Sequence, residues 1–200
     1  EALVRVLEVN PPEAALVFVR TRAGADELAE GLCRRGMPAE ALHSDLSQQQ
    51  RSTVMQRLRD QRVHIVVATD VAARGIDIDH ISHVINFDVP SDLESYVHRI
   101  GRTGRAGRSG EALLLVTPEQ RGRVRALERF TQSTMSPRQI PTRSEVLAKR
   151  EERLFAGLVS ELQGTIEPRF RALAERLTQA GGQDAIGLAA LLLQGRAADG

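Results

Sequence analysis

Up to residue 131, short unbroken apolar runs alternate with longer amphipathic stretches, and this alternation limits the folds open to the chain more than any other feature. The runs AALVFVR (14–20), HIVVAT (64–69), HVINFDV (83–89) and EALLLVT (111–117) are β-branched or leucine-rich and lack polar alternation, as strands buried on both faces do; AEALH (39–43) is a weaker candidate. Helices are predicted between them over 22–35, 47–60, 91–101 and 118–131, the second opening with Ser47 as its N-cap. Strand and helix in turn predict an α/β fold, a parallel sheet joined by right-handed crossovers with helices on both faces. Ligands of such folds bind outside the carboxyl ends of the strands. The segments that follow strands or open helices are therefore where chemistry is to be sought.

Four polar clusters occupy such places. In YVHRIGRTGRAG (96–107), Arg99, Arg102 and Arg105, with Arg108 just beyond, are set among Gly101, Gly104, Gly107 and Gly110, and His98 stands near the start. Glycine lets a backbone approach a ligand while guanidiniums three residues apart converge on phosphate oxygens, so the string reads as a polyphosphate clamp, the alternative being a solvated basic turn. In ATDVAARGIDI (68–78), Thr69 and Asp70 end a strand, and Ala72, Ala73 and Gly75 keep the loop small enough for a sugar-phosphate backbone to lie against its amides. Asp77 is suited to a ribose hydroxyl, to holding an arginine, or to capping a turn. In LHSDLSQQQR (42–51), Gln48 and Arg51 share one face near the positive end of a helix, while Gln49 and Gln50 read as a solvated face. Thr21, flanked by Arg20 and Arg22, can offer hydroxyl and amide to a phosphate.

Composition sets limits on these readings. Two hundred residues with 42% hydrophobic content bury one substantial core and leave room for a small appendage. The net charge of +1 means that contact with nucleic acid has to come from locally placed arginines and amides; Lys149 is the only lysine. One cysteine, Cys33, excludes a disulfide within the chain and a cysteine-based zinc cluster and favours the cytoplasm; its own expected place is a small buried position on a helix. No apolar run reaches membrane-spanning length, and a chain opening on Glu1 reads as a piece of something longer.

LVFVRTR (16–22), LHSDLSQQQR, ATDVAARGIDI and YVHRIGRTGRAG, in this order and at these spacings, closely resemble the second RecA-like domain of DEAD-box RNA helicases over about residues 1–132. The resemblance implies a RecA-like sheet. It implies that Arg102 and Arg105 are arginine fingers for ATP bound, with Mg2+, on a first RecA-like domain, which holds most of the metal's ligands. Arg99 and His98 match positions that link the fingers to that domain's catalytic motifs, and Asp77 matches the contact to the ATP ribose, with Gly75 beside it in the nucleotide-binding set. Thr21, Gln48, Arg51 and Thr69 match positions near the RNA backbone. No GxxxxGK[ST] and no DEAD tetrapeptide is present, so the chain reads as half of an active site with negligible hydrolysis alone. Asp26 and Glu27 do not replace them, because in GADELAE they lie on a helix whose Leu28 and Leu32 face the core and whose acids face water. Two other readings stay open: the equivalent half of a DNA-directed superfamily-2 helicase, and an assembly module whose arginines are structural.

Past Phe130 the polar stretch 133–143, with Pro137 and Pro141, is predicted to be a linker. Thr142 and Glu145 form a capping box for a helix to about Gln163, with Leu147, Leu154, Phe155, Leu158, Val159 and Leu162 on one side. Pro168 opens a second helix with Phe170, Leu173 and Leu177 inward, and 184–195 is apolar almost all round and expected to be buried. Three helices over 144–200 make a marginal core, so this extension is expected to form a homodimer, the alternatives being intramolecular packing or a further domain. Heat-resistant RNA-dependent ATPases and cold-shock helicases have a similar helical extension.

Overall fold

Each apolar run places four residues in one parallel sheet. The strands are β1 (Ala15–Phe18), β2 (Ala39–Leu42), β3 (Ile65–Ala68), β4 (His83–Asn86) and β5 (Glu111–Leu114), in the order β2-β3-β1-β4-β5. The computed structural model describes all residues except 74–77, 79, 106, 162–163, 165–166, 182–183 and 199–200. Ala15 lies in register with Ile65 on one side and His83 on the other, which puts β1 at the centre although it is first in sequence. Single hydrogen bonds continue the ladder past the strands, from Val19 N–H to the Ala68 carbonyl and from Phe87 N–H to that of Phe18, both at 3.0 Å. The strands are shorter than the runs because the last residues of each run already turn into the loops beyond.

Side chains of successive strand residues point to opposite faces, and this sorts the core into two layers. Leu16, Phe18, Val66 and Val84 pack with Val54 and Leu58 of α3 (Gln48–Arg59) on one face. On the other, Val17, Val67 and Ile85 meet Leu3 and Leu7 of α1 (Ala2–Val9) and Ala25, Ala29 and Leu32 of α2 (Arg22–Cys33). Sequence analysis overlooked α1, although Leu3 and Leu7 are spaced for one helix face. It also placed EALLLVT among the strands buried on both faces, whereas β5 is an edge strand with Ala112 exposed and its other residues half-buried. An edge position removes the neighbour that would cover it. Cys33 is likewise exposed at the last position of α2, its thiol hydrogen-bonded to the backbone of Ala39.

The remaining helices of this unit are α4 (Asp70–Ala73), α5 (Leu93–Ile100) and, after a 3-10 turn at Pro118–Gln120, α6 (Arg121–Thr131). Ser47 caps α3 as expected, but Gln50 is not merely a solvated residue. Its side chain accepts from Ser47 N–H at 2.8 Å while Ser47 Oγ accepts from Gln50 N–H at 3.2 Å, a reciprocal capping box.

The chain divides into two compact units, Glu1–Pro141 and Thr142–Gly200. The irregular segment expected as a linker is tied to the first of them. Met135 N–H donates to Glu128 at 2.9 Å, Arg138 pairs with Glu111, and Arg5 Nη1 donates to the Pro141 carbonyl at 3.3 Å. The second unit holds α7 (Arg143–Glu161), α8 (Pro168–Gly181) and α9 (Ala185–Ala198), with Arg196 of α9 paired to Glu161 of α7 at 2.8 Å. Most of its large apolar side chains do not turn inward. Phe155, Phe170, Leu173, Leu177, Ile186, Leu191 and Leu192 are all exposed, Ile186 at 77%. Only Leu154 and Leu158 of the expected α7 stripe are half-buried, and Leu162 lies outside the described residues. Three short helices offer one another too little surface to cover these faces. Among the described residues no helix is long and apolar enough to cross a membrane.

Candidate functional site

The loops that leave β1, β2 and β3 carry the residues expected at phosphates. Thr21 follows β1 in extended conformation and caps α2, its hydroxyl oxygen accepting from Gly24 N–H at 3.0 Å. The hydroxyl proton is left to donate outward from an exposed position. A Cβ at residue 24 would lie 2.9 Å from that hydroxyl, so glycine leaves the cap uncrowded. Gln48 opens α3 and is exposed; Arg51, one turn on, is half-buried and donates from Nη2 to the Ala72 carbonyl at 3.2 Å, joining α3 to α4. Thr69 is buried at 8%, its N–H given to the Leu42 carbonyl and its own carbonyl accepting from Ala72 and Ala73. These four residues follow β2, β3 and β1, three adjacent strands of the sheet.

The arginines hang from the other half of the sheet. After β4, Asp92 caps α5, accepting from Ser95 N–H and Ser95 Oγ, each at 2.7 Å. The Ser95 hydroxyl, and after it the Ser95 amide, hold the Asp92 carboxyl below its ordinary value. A lowered folded pKa stabilises above the unfolded value and loses that contribution as pH falls through the folded value. The urea midpoint of the wild type is therefore expected to exceed that of Asp92→Asn at neutral pH, with the gap closing below about pH 4. A gap that persisted unchanged to pH 3 would show that the carboxylate's charge adds nothing to the cap.

On α5, Tyr96 and Arg99 share the buried face, and burial pushes the Tyr96 hydroxyl above its ordinary pKa. Arg99 is only 3% exposed. Its Nε and Nη2 meet both oxygens of Asp70 at 2.6 and 2.7 Å. Its Nη1 donates to Asn86 Oδ1 at 3.0 Å and to the Asp88 carbonyl at 2.9 Å, and its plane lies 5.0 Å from the Phe18 ring. In this unit the donors of Arg99 are engaged internally, which ties the helix that leads to the arginine turn to Asp70, Asn86 and Asp88. His98 of the same turn is exposed.

Beyond α5 the backbone continues as a tight turn, with Arg102 N–H on the Arg99 carbonyl at 3.0 Å. Arg102 and Arg105 are half-buried, and Arg105 Nε donates to the Gly101 carbonyl at 2.8 Å. Gly104 has φ +68°, and a Cβ at Gly110 would fall 2.1 Å from Thr103 Oγ1 and 2.5 Å from the Gly104 nitrogen. Glycines therefore shape the turn that presents the two arginines. Arg108 is a surface residue, 57% exposed and 4.0 Å from Glu13. Gly75 and Asp77 lie outside the described residues. Sequence reasoning missed the partners of Arg99. Asn86, fully buried in a run of aliphatic residues, was the available signal, since a buried amide needs a polar neighbour.

A parallel sheet of this order, with helix caps on one half and a glycine-shaped arginine turn on the other, defines a RecA-like helicase domain. The chain belongs to the helicase conserved C-terminal domain family, whose pattern matches residues 1–107. It is 47% identical over 175 residues to the ATP-dependent RNA helicase DeaD of Mycobacterium tuberculosis, covering 88% of this chain and 31% of that one. It is 42% identical over 179 residues to the DEAD-box ATP-dependent RNA helicase CshA of Geobacillus kaustophilus, covering 90% and 38%. The chain spans about a third of the length of the curated relatives it matches. Among solved structures, E. coli DEAD-box protein SrmB bound to regulator of ribonuclease activity A matches with TM-score 0.63 and 40% identity, covering 72% of this chain and 83% of that one. S. cerevisiae Dbp5 bound to RNA and ADP BeF3 matches with TM-score 0.65 and 31% identity, covering 74% and 40%.

Proposed function

We propose that the first unit is the C-terminal RecA-like half of an ATP-dependent RNA helicase, completing an ATPase site with Arg102 and Arg105 and gripping one RNA strand through Thr21, Gln48, Arg51 and Thr69. The observation that carries this reading is the division of labour across the sheet, with caps and amides over β2, β3 and β1 and the arginine turn beyond β4. The relatives named as ATP-dependent RNA helicases, and the similar Dbp5 structure with RNA and ADP BeF3, support it. ATP sits between this unit and an N-terminal RecA-like domain, with Asp77 and Gly75 at the ribose side by their match to the family motif. His98 lies on the exposed side of α5 and is assigned to contact with that domain. Magnesium held with ATP would neutralise phosphate charge. Most of its protein ligands are assigned to the N-terminal domain by the family match, since this chain carries no GxxxxGK[ST] and no DEAD tetrapeptide. Closure of the two domains brings Arg102 and Arg105 onto the terminal phosphate while both halves hold the RNA backbone, and bending of that strand opens a short duplex. Grip on the backbone carries no base readout, so sequence preference resides elsewhere in the protein. The single cysteine suits a reducing, cytoplasmic setting.

In the full-length protein, ATP hydrolysis is expected to rise on addition of single-stranded RNA and not of DNA of the same sequence. Equal stimulation by DNA would transfer the chain to the DNA-directed class.

The exposed apolar side chains of α7, α8 and α9 favour a second role for the tail, self-association through residues 144–200. Sedimentation equilibrium is expected to give a dimer for residues 1–200 and a monomer for a chain cut after Pro141. A monomer in both would leave these faces to a further segment of the protein or to the first unit.

A further inference from the structure

Two ionic contacts join the start of α2 to the loop between β2 and α3. Arg22 pairs with Asp45, both more than half exposed. One turn further along α2, Asp26 Oδ1 lies 3.0 Å from His43 Nε2. His43 is 5% exposed, and its other ring nitrogen, Nδ1, is buried with no partner among the described residues. Asp26 is therefore the single hydrogen-bond partner of the imidazole among the described residues. This changes the reading of Asp26, which is 61% exposed yet has a partner inside the fold.

The contacts matter because of what they connect. Thr21 leaves β1 and the Gln48–Arg51 face leaves β2, and β3 stands between these strands in the sheet. The two loops start roughly 10 Å apart, two strand spacings, and no ladder hydrogen bond joins one strand to the other. We infer that Asp26 and His43, with Arg22 and Asp45 beside them, form a clamp that sets the distance between these two phosphate-facing elements, so that Asp26 and His43 are positioning residues of the RNA grip. Without the Asp26 carboxylate, His43 has neither nitrogen paired inside the protein. The ring then turns out toward water and takes with it the backbone that leads into α3, where the His43 carbonyl accepts from Leu46 N–H at 3.3 Å. The inference rests on the proposed assignment of Thr21, Gln48 and Arg51 to RNA.

RNA-stimulated ATP hydrolysis by the full-length protein tests it, with Arg51→Ala as the reference for a direct contact. Asp26→Ala is expected to raise the RNA concentration for half-maximal rate by roughly fivefold to tenfold and to leave kcat at saturating RNA in place. Asp26→Asn, which keeps an oxygen for the His43 N–H, is expected to restore the wild-type value. A merely structural loss would shrink the active fraction and so lower kcat with half-saturation unmoved. That result, or no change at all, alongside a raised half-saturation in Arg51→Ala, overturns the clamp. An unchanged half-saturation in Arg51→Ala itself overturns the assignment to RNA and the clamp with it.

Discussion

In the full-length protein, Arg102→Ala is expected to slow ATP turnover on the order of 10³-fold while leaving RNA affinity largely intact. A guanidinium set against a transferring phosphoryl group stabilises charge that develops in the transition state, so its removal appears in kcat more than in substrate binding. The two properties separate because Arg102 hangs from α5, beyond β4, whereas Thr21, Gln48 and Thr69 leave the three strands of the other half-sheet. Arg102→Lys keeps the charge without the planar fork and is expected to recover only part of the rate. Single-turnover hydrolysis and RNA binding by fluorescence anisotropy, read side by side, decide the matter. A near-normal rate would remove Arg102 from the reaction and favour the structural reading of the arginines, and a parallel loss of RNA affinity would show that the two halves do not act separately.

The second large effect is one of stability, and it is asymmetric. Asp70→Ala is expected to destabilise the domain by about 3–5 kcal/mol, because it leaves the Arg99 guanidinium, 3% exposed, without an opposite charge. Arg99→Met, similar in length and apolar, is expected to lose less, about 1–3 kcal/mol. The Asp70 carboxylate it leaves behind is 38% exposed and can be hydrated. Asn86 loses its Oδ1 donor yet keeps its bond to the Leu113 carbonyl at 3.3 Å. Urea unfolding midpoints at constant slope measure both variants. Equal losses, or a larger one for Arg99→Met, would mean that the acceptors gathered around the guanidinium matter more than its burial. The same contact joins Asp70, next to Thr69, with the helix that leads to Arg102, so both variants also bear on how the two half-sheets communicate.

The sheet was legible because a run such as IVVA, short, β-branched and apolar at every position, suits a strand covered on both faces, and the glycine-rich arginine string marked the turn beyond α5. What was not legible depended on neighbours that a run of residues does not reveal. EALL looks like the other strands, and only the strand order places it at an edge. Arg99 looks like Arg102, three residues on, yet it shares the inward face of α5 with Tyr96 while Arg102 lies past the helix end. Asp26 looks like a solvated acid because its partner, His43, is distant in sequence. In the tail, the capping residues Thr142 and Glu145 located a helix start correctly, since capping is local chemistry. The direction in which Phe170 or Leu173 faces is set by a covering surface that three short helices do not provide.

The central place of β1 has a bearing on how the molecule is made. Residues 15–18 are made before the other strands of this sheet, but their two partners begin at residues 65 and 83. At ordinary rates of synthesis the central strand of the sheet waits on the order of several seconds with both edges open. During that interval α1 and α2, which close over one face of β1 and are made directly before and after it, are the first native cover within reach, followed by α3 on the other face. The two helices that pack on that face of the finished core are thus also the cover nearest to hand for the growing chain.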